Sequence, residues 1–272
     1  MMIKLRAMTS VAAYLVMRVA TASAAGPLPL PVRRCAPDAV AAGAACLDRY
    51  EASVWRIPNP ATANAILARR VQQGRATHAD LIAGGATQVG AAGDDYAPCT
   101  KNGQHCANDI YAVSLPAEVP STNITWFQAQ EACANAGKRL PSNAEWQIGA
   151  NGTPDVNPEN GTTDCNIASD GGASLTGARS GCVSARGAFD MVGNLAEWVA
   201  DWAPASTTCT GWGSFSDDEM CFAGASTTTN APGALVRGGA FASLGGQHAG
   251  PLAVHLFAPF HTNNFVGFRC AR

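Results

Sequence analysis

Three histidines, His248, His255 and His261, crowd one stretch near the C-terminus, and imidazole is the commonest metal ligand. A metal site needs further donors. Here there are none of the usual kind, because no Lys, Arg, Asp, Glu or Cys falls between Arg237 and Arg269. The histidines are accompanied instead by Phe241, Phe257, Phe260, Phe265, Ser243 and asparagines. Aromatic and imidazole rings supply contact area and adaptable hydrogen bonds at low entropy cost, so the stretch reads as a surface for non-covalent recognition. Phe257, Phe260 and Phe265 follow no period and are expected to be exposed. Phe241 and Phe268, beside glycine borders, are expected in the core.

A second possible chemistry sits in Met191-Val-Gly-Asn-Leu-Ala-Glu-Trp198. The oxygens of Asn194 and Glu197, with loop carbonyls, suit a hard cation such as calcium. The alternative is that Glu197 is buried and paired with Arg237 or Arg269, since a buried carboxylate needs a partner either way. Asp190 and Asp201 read as carboxylates that fix loops, and no paired-carboxylate hydrolase constellation can be assigned.

Cysteine is the third reactive type. There are ten, and eight form close pairs along the chain: Cys35/Cys46, Cys99/Cys106, Cys165/Cys182 and Cys209/Cys221. The absence of C-x-x-C knuckles argues against zinc, so an oxidising compartment and stapled loops are expected. Cys133 and Cys270 are left as a possible long-range closure, although spacing alone leaves the connectivity open.

The elements that must position these residues are few. Residues 26–45 are Pro- and Ala-rich and read as an extended leader. Cys46 to Trp55 alternates as a strand, and 57–110 is Gly-rich and irregular, with a short helix near Ala61–Gln73. Thr125-Trp-Phe-Gln128 is a capping box opening a helix that Gly137 stops, with Trp126, Ala129, Cys133 and Ala136 on its inner face. Ser142-Asn-Ala-Glu145 opens a second, short helix. Residues 151–187 form a loop, and the chain ends in strands. Few helices, short strands and long stapled loops imply a compact α+β domain.

Composition sets the outer bounds. At 272 residues and 47% hydrophobic, the chain can bury a full core. A net charge of −2 without basic runs excludes an electrostatic case for nucleic acid. Residues 1–25 read as an export signal: Lys4 and Arg6, apolar Ser10–Met17, then Ala22-Ser23-Ala24. The expectation is therefore an exported protein (periplasmic, cell-surface or secreted) with one domain over 26–272. No later stretch is apolar enough to be a transmembrane segment.

Five motifs stand in order: Thr125–Cys133, Lys138-Arg-Leu-Pro-Ser-Asn-Ala-Glu-Trp146, Met191–Trp198, Val236-Arg-Gly-Gly239 and Val266-Gly-Phe-Arg269. Together they resemble the formylglycine-generating-enzyme (sulfatase-modifying factor) family. The resemblance covers roughly 46–56 and 120–272 and implies an elaborated C-type-lectin fold, poor in regular secondary structure. It also implies a disulfide from a helix to the final strand, at Cys133 and Cys270, and calcium near Asn194 and near Asn166-Ile167. The oxidases of the family bind copper through two cysteines shortly after the Arg-Gly-Gly border. Ser243 and His248 fall near those places, and a hydroxyl and an imidazole cannot replace a thiolate pair, so no copper and no enzyme activity are expected.

The segment Ala249–Arg269 also resembles the variable region of proteins diversified by retroelements, in which adenines of AAC-type template codons are rewritten. Ala242, Ser243, Leu244, His248, His255, Phe257, Ala258, Phe260, His261, Asn264 and Phe265 are all reachable from such codons. Ala249–Val254, Pro259 and the Val-Gly-Phe-Arg ending read as fixed scaffold. The resemblance implies a scaffold with a variable region over about 237–270 that binds an unknown protein or glycan. The alternatives are an enzyme derived from the oxidase family that lost its cysteine pair, or a structural envelope domain.

Overall fold

The computed structural model describes residues 34–168, 171–204, 209–211, 217, 219–221, 232–243 and 246–272, and residues 33–272 form one compact unit. The stretch read as an export signal lies outside the described residues, as does Leu244.

The first described elements correct an expectation. Ala39–Ala42 (β1) and Ala45–Asp48 (β2) form an antiparallel hairpin where an extended leader was expected. Gly43 turns it with φ 65°, a conformation that strains any residue carrying a Cβ. The strand expected from Cys46 to Trp55 is two strands, β2 and Ser53–Arg56 (β3). The bend between them hands its backbone to other partners: Arg49 O accepts from Phe189 N, and Tyr50 N donates to Ser114 Oγ.

β3 is the centre of a three-stranded antiparallel sheet, between Thr87–Val89 (β4) and Ile110–Val113 (β5). Two helices cover its Trp55 and Tyr111 side, Ala65–Gln72 (α1) and His78–Ala83 (α2), through Leu67, Val71 and Leu81. α1 lies inside the helix expected near 61–73. α2 was not expected, although Thr77-His-Ala-Asp80 is a complete capping box.

The two expected helices are present as Trp126–Asn135 (α3) and Asn143–Ala150 (α4), each opened by its capping box. On α3 the residues Ala129 and Cys133 are buried, with Ala136 beyond its end, and Trp126 is half-buried. α4 packs Trp146 under the largest sheet. That sheet has six strands in the order β11-β6-β9-β10-β8-β7. They are Ala196–Pro204 (β6), Cys209–Gly211 (β7), Glu219–Cys221 (β8), Pro232–Arg237 (β9), Val254–Phe257 (β10) and Val266–Phe268 (β11). β11 runs parallel to β6, and β10 parallel to β8.

The chain's last residues return to its first. Ala271 bridges both Leu47 and Arg139, and Cys46 and Arg272 exchange backbone hydrogen bonds. Below them the fully buried ammonium of Lys138 lies between Asp38 (2.8 Å) and Asp48 (2.7 Å), and Arg272 also pairs with Asp38. The disulfides are Cys35–Cys46, Cys99–Cys106, Cys133–Cys270 and Cys165–Cys182. Cys133–Cys270 ties α3 to the end of the chain across 137 residues. Cys209 and Cys221 stand opposite one another in backbone register, but their side chains lie outside the description. Among the described residues no helix is long and apolar enough to cross a membrane.

Candidate ligand pocket

The site is built on β9. Alternation along the strand sends Ala234 and Val236 to the core that holds Trp198 and Phe268, and Leu235 to the core that holds Trp146 and Leu256. Arg237 ends the strand, buried, with its guanidinium 4.6 Å from the centre of the Trp146 ring. It donates to the carbonyls of Pro251 (3.0 Å) and Ala253 (3.2 Å) and to the side chain of Gln147. One buried cation thus fixes the approach of the loop leading into β10.

Gly239 follows with φ 74°, and a Cβ there would lie 2.3 Å from the His248 carbonyl oxygen. Only glycine permits this close approach, which folds residues 240–249 over the end of the sheet. Ser243 holds the turn: its Oγ accepts from Ala240 N (2.8 Å), and its N donates to Ala240 O. β10 pairs with β9, His255 opposite Val236 and Phe257 opposite Ala234. Val254 and Leu256 point into the core, leaving His255 and Phe257 half-buried on the other face.

These elements enclose a cavity of about 170 Å³. Its floor is scaffold: Ala196, Val236, Gly239 and Ala240. Its walls are Ala242, Ser243, His248, His255, Phe257 and Phe265, all positions singled out from the sequence. Ala242 and His248 are exposed at the mouth. The other expected positions lie outside the cavity. Phe260 is 67% exposed, Asn264 is exposed, Ala258 is half-buried, and His261 stacks on Phe257 with ring centres 4.9 Å apart. Burial lowers the His261 pKa below its ordinary value, favouring the neutral ring.

Two of the phenylalanines expected to be exposed are corrected. Phe257 and Phe265 are half-buried and pack against the core, Phe257 meeting Trp198 edge-on. The open sheet face left no other cover for those core residues. Phe268 is buried as expected, while Phe241 is only half-buried.

The segments that carry the walls are anchored at several points by main-chain atoms. Trp126 N donates to Pro259 O, Asn123 N to Asn263 O, Ala196 N to Phe265 O and Gly250 N to Gly238 O. These four bonds use no side chain, whereas the turn at Ser243 uses its hydroxyl. The floor residues were not anticipated as site residues. They lie inside the Arg-Gly-Gly and Leu-Ala-Glu-Trp motifs, whose small side chains carry no chemical signal of their own.

The Asn194–Glu197 motif lies beside the pocket. Both oxygens of Glu197 accept from Arg269 (2.5–3.0 Å), and Trp146 Nε1 donates to one at 2.7 Å, so the Glu–Arg alternative is the geometry present. Arg269 is wholly buried and also donates to the carbonyls of Asp48 and Phe189. Asn194, with φ 57°, donates to Glu51 and accepts from Asn166 Nδ2 (3.1 Å) and Ser174 N (2.7 Å). Asn166 Oδ1 is buried without a hydrogen-bond partner. Asp190 fixes a loop, accepting from Gly177 N (2.7 Å), and Asp201 caps α4, accepting from Asn143 N (2.6 Å).

Burial raises the Glu51 pKa well above the ordinary carboxylate value, and the nearby Asp190 and Glu197 add to the effect. Burial likewise pushes Asp190 up to about 6, against the pull of the Gly177 N–H and Arg269. Glu51 carried no sequence signal, because a single carboxylate between two short strands looks like a surface residue. Among the described residues no group of three or more His, Cys, Asp or Glu is placed to hold a metal ion.

Comparison with known proteins places the chain. The family model for the sulfatase-modifying factor enzyme 1-like domain matches residues 96–272. The serine/threonine-protein kinase Pkn1 of Chlamydia trachomatis serovar L2 is 35% identical over 88 residues, and its Chlamydia caviae counterpart is 34% identical over the same length. Each match covers 32% of this chain and only 14% of the curated relative. Similar solved structures include the Major Tropism Determinant U1 variant (18% identity, TM-score 0.44, 86% of this chain and 52% of that one). PvdO from Pseudomonas aeruginosa has 20% identity and TM-score 0.42 over 84% of this chain and 80% of its own. Treponema denticola variable protein 1 has 17% identity and TM-score 0.37 over 56% and 70%.

Proposed function

The chain belongs to the sulfatase-modifying factor enzyme 1-like family, with its C-type-lectin-like α+β fold, and we propose that it uses that scaffold for binding rather than catalysis. In this reading it is an exported ligand-binding protein whose segment 242–265 is diversified, recognising a protein or glycan. The observation that carries the reading is the division of labour in the pocket. Most of the floor belongs to motif residues, the walls to positions reachable from AAC codons, and Phe265 and the scaffold residues flanking the walls are held through main-chain atoms. Such a cup can change its lining while keeping its shape.

The copper chemistry of the family's oxidases does not fit the residues present. No cysteine occurs between Cys221 and Cys270, and among the described residues every cysteine whose side chain is placed is in a disulfide. Ser243 and His248 at the pocket mouth offer a hydroxyl and an imidazole where a thiolate pair is required.

The test is genetic. Sequencing the locus from independent isolates is expected to show substitutions concentrated at codons 242–265, at positions where a nearby near-identical repeat carries adenine. Isolates that vary evenly along the gene, with no such repeat, would overturn the reading.

Calcium is a second part of the proposal. The buried, unpartnered Asn166 Oδ1 fits a hard cation, and Asn194 stands next to it. Glu197, already held by Arg269, would contribute its charge from a distance. An ion bound only to the folded chain stabilises it by mass action, so chelation is expected to lower the thermal midpoint, and calcium but not magnesium to restore it. A midpoint indifferent to chelator removes calcium from the account.

A further inference from the structure

We propose that the pocket receives one neutral aromatic ring bearing a single hydroxyl, the phenol of a tyrosine on a protein partner. This deepens the proposed binding role and rests on it. Size is the first argument. A cavity of about 170 Å³ is close to that of engineered apolar cavities of ~150 Å³ that take up benzene, and it holds one ring rather than a disaccharide or a nucleotide.

Charge is the second. No Lys, Arg, Asp or Glu lies between Arg237 and Arg269, and among the described residues none lines the cavity. A carboxylate, phosphate or ammonium entering it would leave water without a counter-ion, which is costly in an apolar site.

The distribution of polar groups is the third. The floor of Ala196, Val236 and Ala240 is apolar, and Phe257 and Phe265 wall one side with ring centres 6.1 Å apart. The polar side chains of the lining are three, His248 and His255 with ring centres 5.9 Å apart, and Ser243. A pyranose carries hydroxyls around its whole rim and would turn several of them onto alanine, valine and phenylalanine. A phenol has one hydroxyl, and an imidazole can donate to it or accept from it. The pocket thus favours a protein side chain over a glycan.

The experiment titrates the full chain with p-cresol, toluene, 4-hydroxybenzoate and methyl β-glucoside, following the imidazole proton resonances of His248 and His255. Saturable p-cresol binding is expected, with toluene at least about tenfold weaker, because one hydrogen bond at a desolvated site is worth on that order. The anion and the sugar are expected not to bind. Ala242→Trp, at the exposed rim, is expected to abolish p-cresol binding with an unchanged thermal midpoint. Val236→Phe, which fills the floor, is the second variant.

Tighter binding of the glucoside or the anion than of p-cresol would overturn the proposal. So would p-cresol binding that Ala242→Trp leaves intact, or no p-cresol binding at millimolar concentration. These outcomes are separable from failure of the underlying reading: clustered codon variation with no p-cresol binding rejects the phenol alone, whereas p-cresol binding without codon variation rejects diversification alone.

Discussion

Glu197 and Arg269 illustrate how strongly single residues are constrained. Arg269 is fully buried, and its donors are spent on Glu197 and on backbone carbonyls from two separate segments, 48–49 and 189–190. Arg269→Met would leave the Glu197 carboxylate buried with only the Trp146 N–H for company. A loss of ~3–5 kcal/mol in denaturant unfolding is expected, the cost of orphaning a buried charge. A loss below about 1 kcal/mol would show that the pair is not desolvated as the geometry indicates.

The neighbouring carboxylates add a pH dependence. Asp190 and Asp48 are each pushed up to about 6, chiefly by burial, and Glu51 is raised well above the ordinary range. A carboxylate with a raised folded pKa binds its proton more tightly folded than unfolded. Its contribution is present below the unfolded pKa of ~4 and is lost as pH rises through about 6. Glu145 acts oppositely: its bond with Arg139 outweighs burial and holds it down at about 2, so its contribution fades as pH falls below ~4. In chelator, the chain is expected to be more stable at pH 5 than at pH 7.5 by chemical denaturation. Stability that rises steadily from pH 5 to 7.5 would contradict this assignment of the buried acids.

At the level of elements, Cys133–Cys270 fastens α3 to the terminal segment that bridges β2 and Arg139. Replacing both cysteines with alanine is expected to cost ~2–5 kcal/mol, more than removing Cys99–Cys106, whose loop is only 7 residues. Equal losses from the two deletions would deny the long closure its weight.

What could be read in advance follows element type. Helices α3 and α4 announced themselves, because a capping box is a local bond pattern written in four residues. The β1–β2 hairpin did not, because alanine-rich strands show no alternation and their burial comes from α4 and the returning C-terminus. The pocket walls were legible as a charge-free run. The floor was not, since alanine, valine and glycine acquire their role only when β6, β9 and the Arg-Gly-Gly turn meet.

For the whole molecule, the separation of floor from walls predicts which parts of the chain tolerate change. A library randomised with AAC-derived codons at the eleven positions read as variable, displayed and challenged with protease, is expected to remain mostly folded. The same treatment at Val254, Leu256, Pro259 and Val266–Phe268 is expected to leave few survivors, because all are buried. Within the first library Phe260 is expected to be nearly neutral, and Phe257 and Phe265 to favour large side chains, since both cover core residues. Equal survival of the two libraries would show that the scaffold and the display surface are not distinct.

The position of β10 has one more consequence. It lies inside the six-stranded sheet, with β9 on one side and β8 on the other, so its amide ladder is engaged on both edges around Val254 and His255. A strand exposed at a sheet margin invites pairing between molecules whenever its side chains turn apolar. At His255 an apolar side chain would therefore sit on a backbone already paired on both sides. If positions 255 and 257 vary as proposed, an apolar residue at 255 is presented on a strand paired on both sides, which limits its use for pairing between molecules.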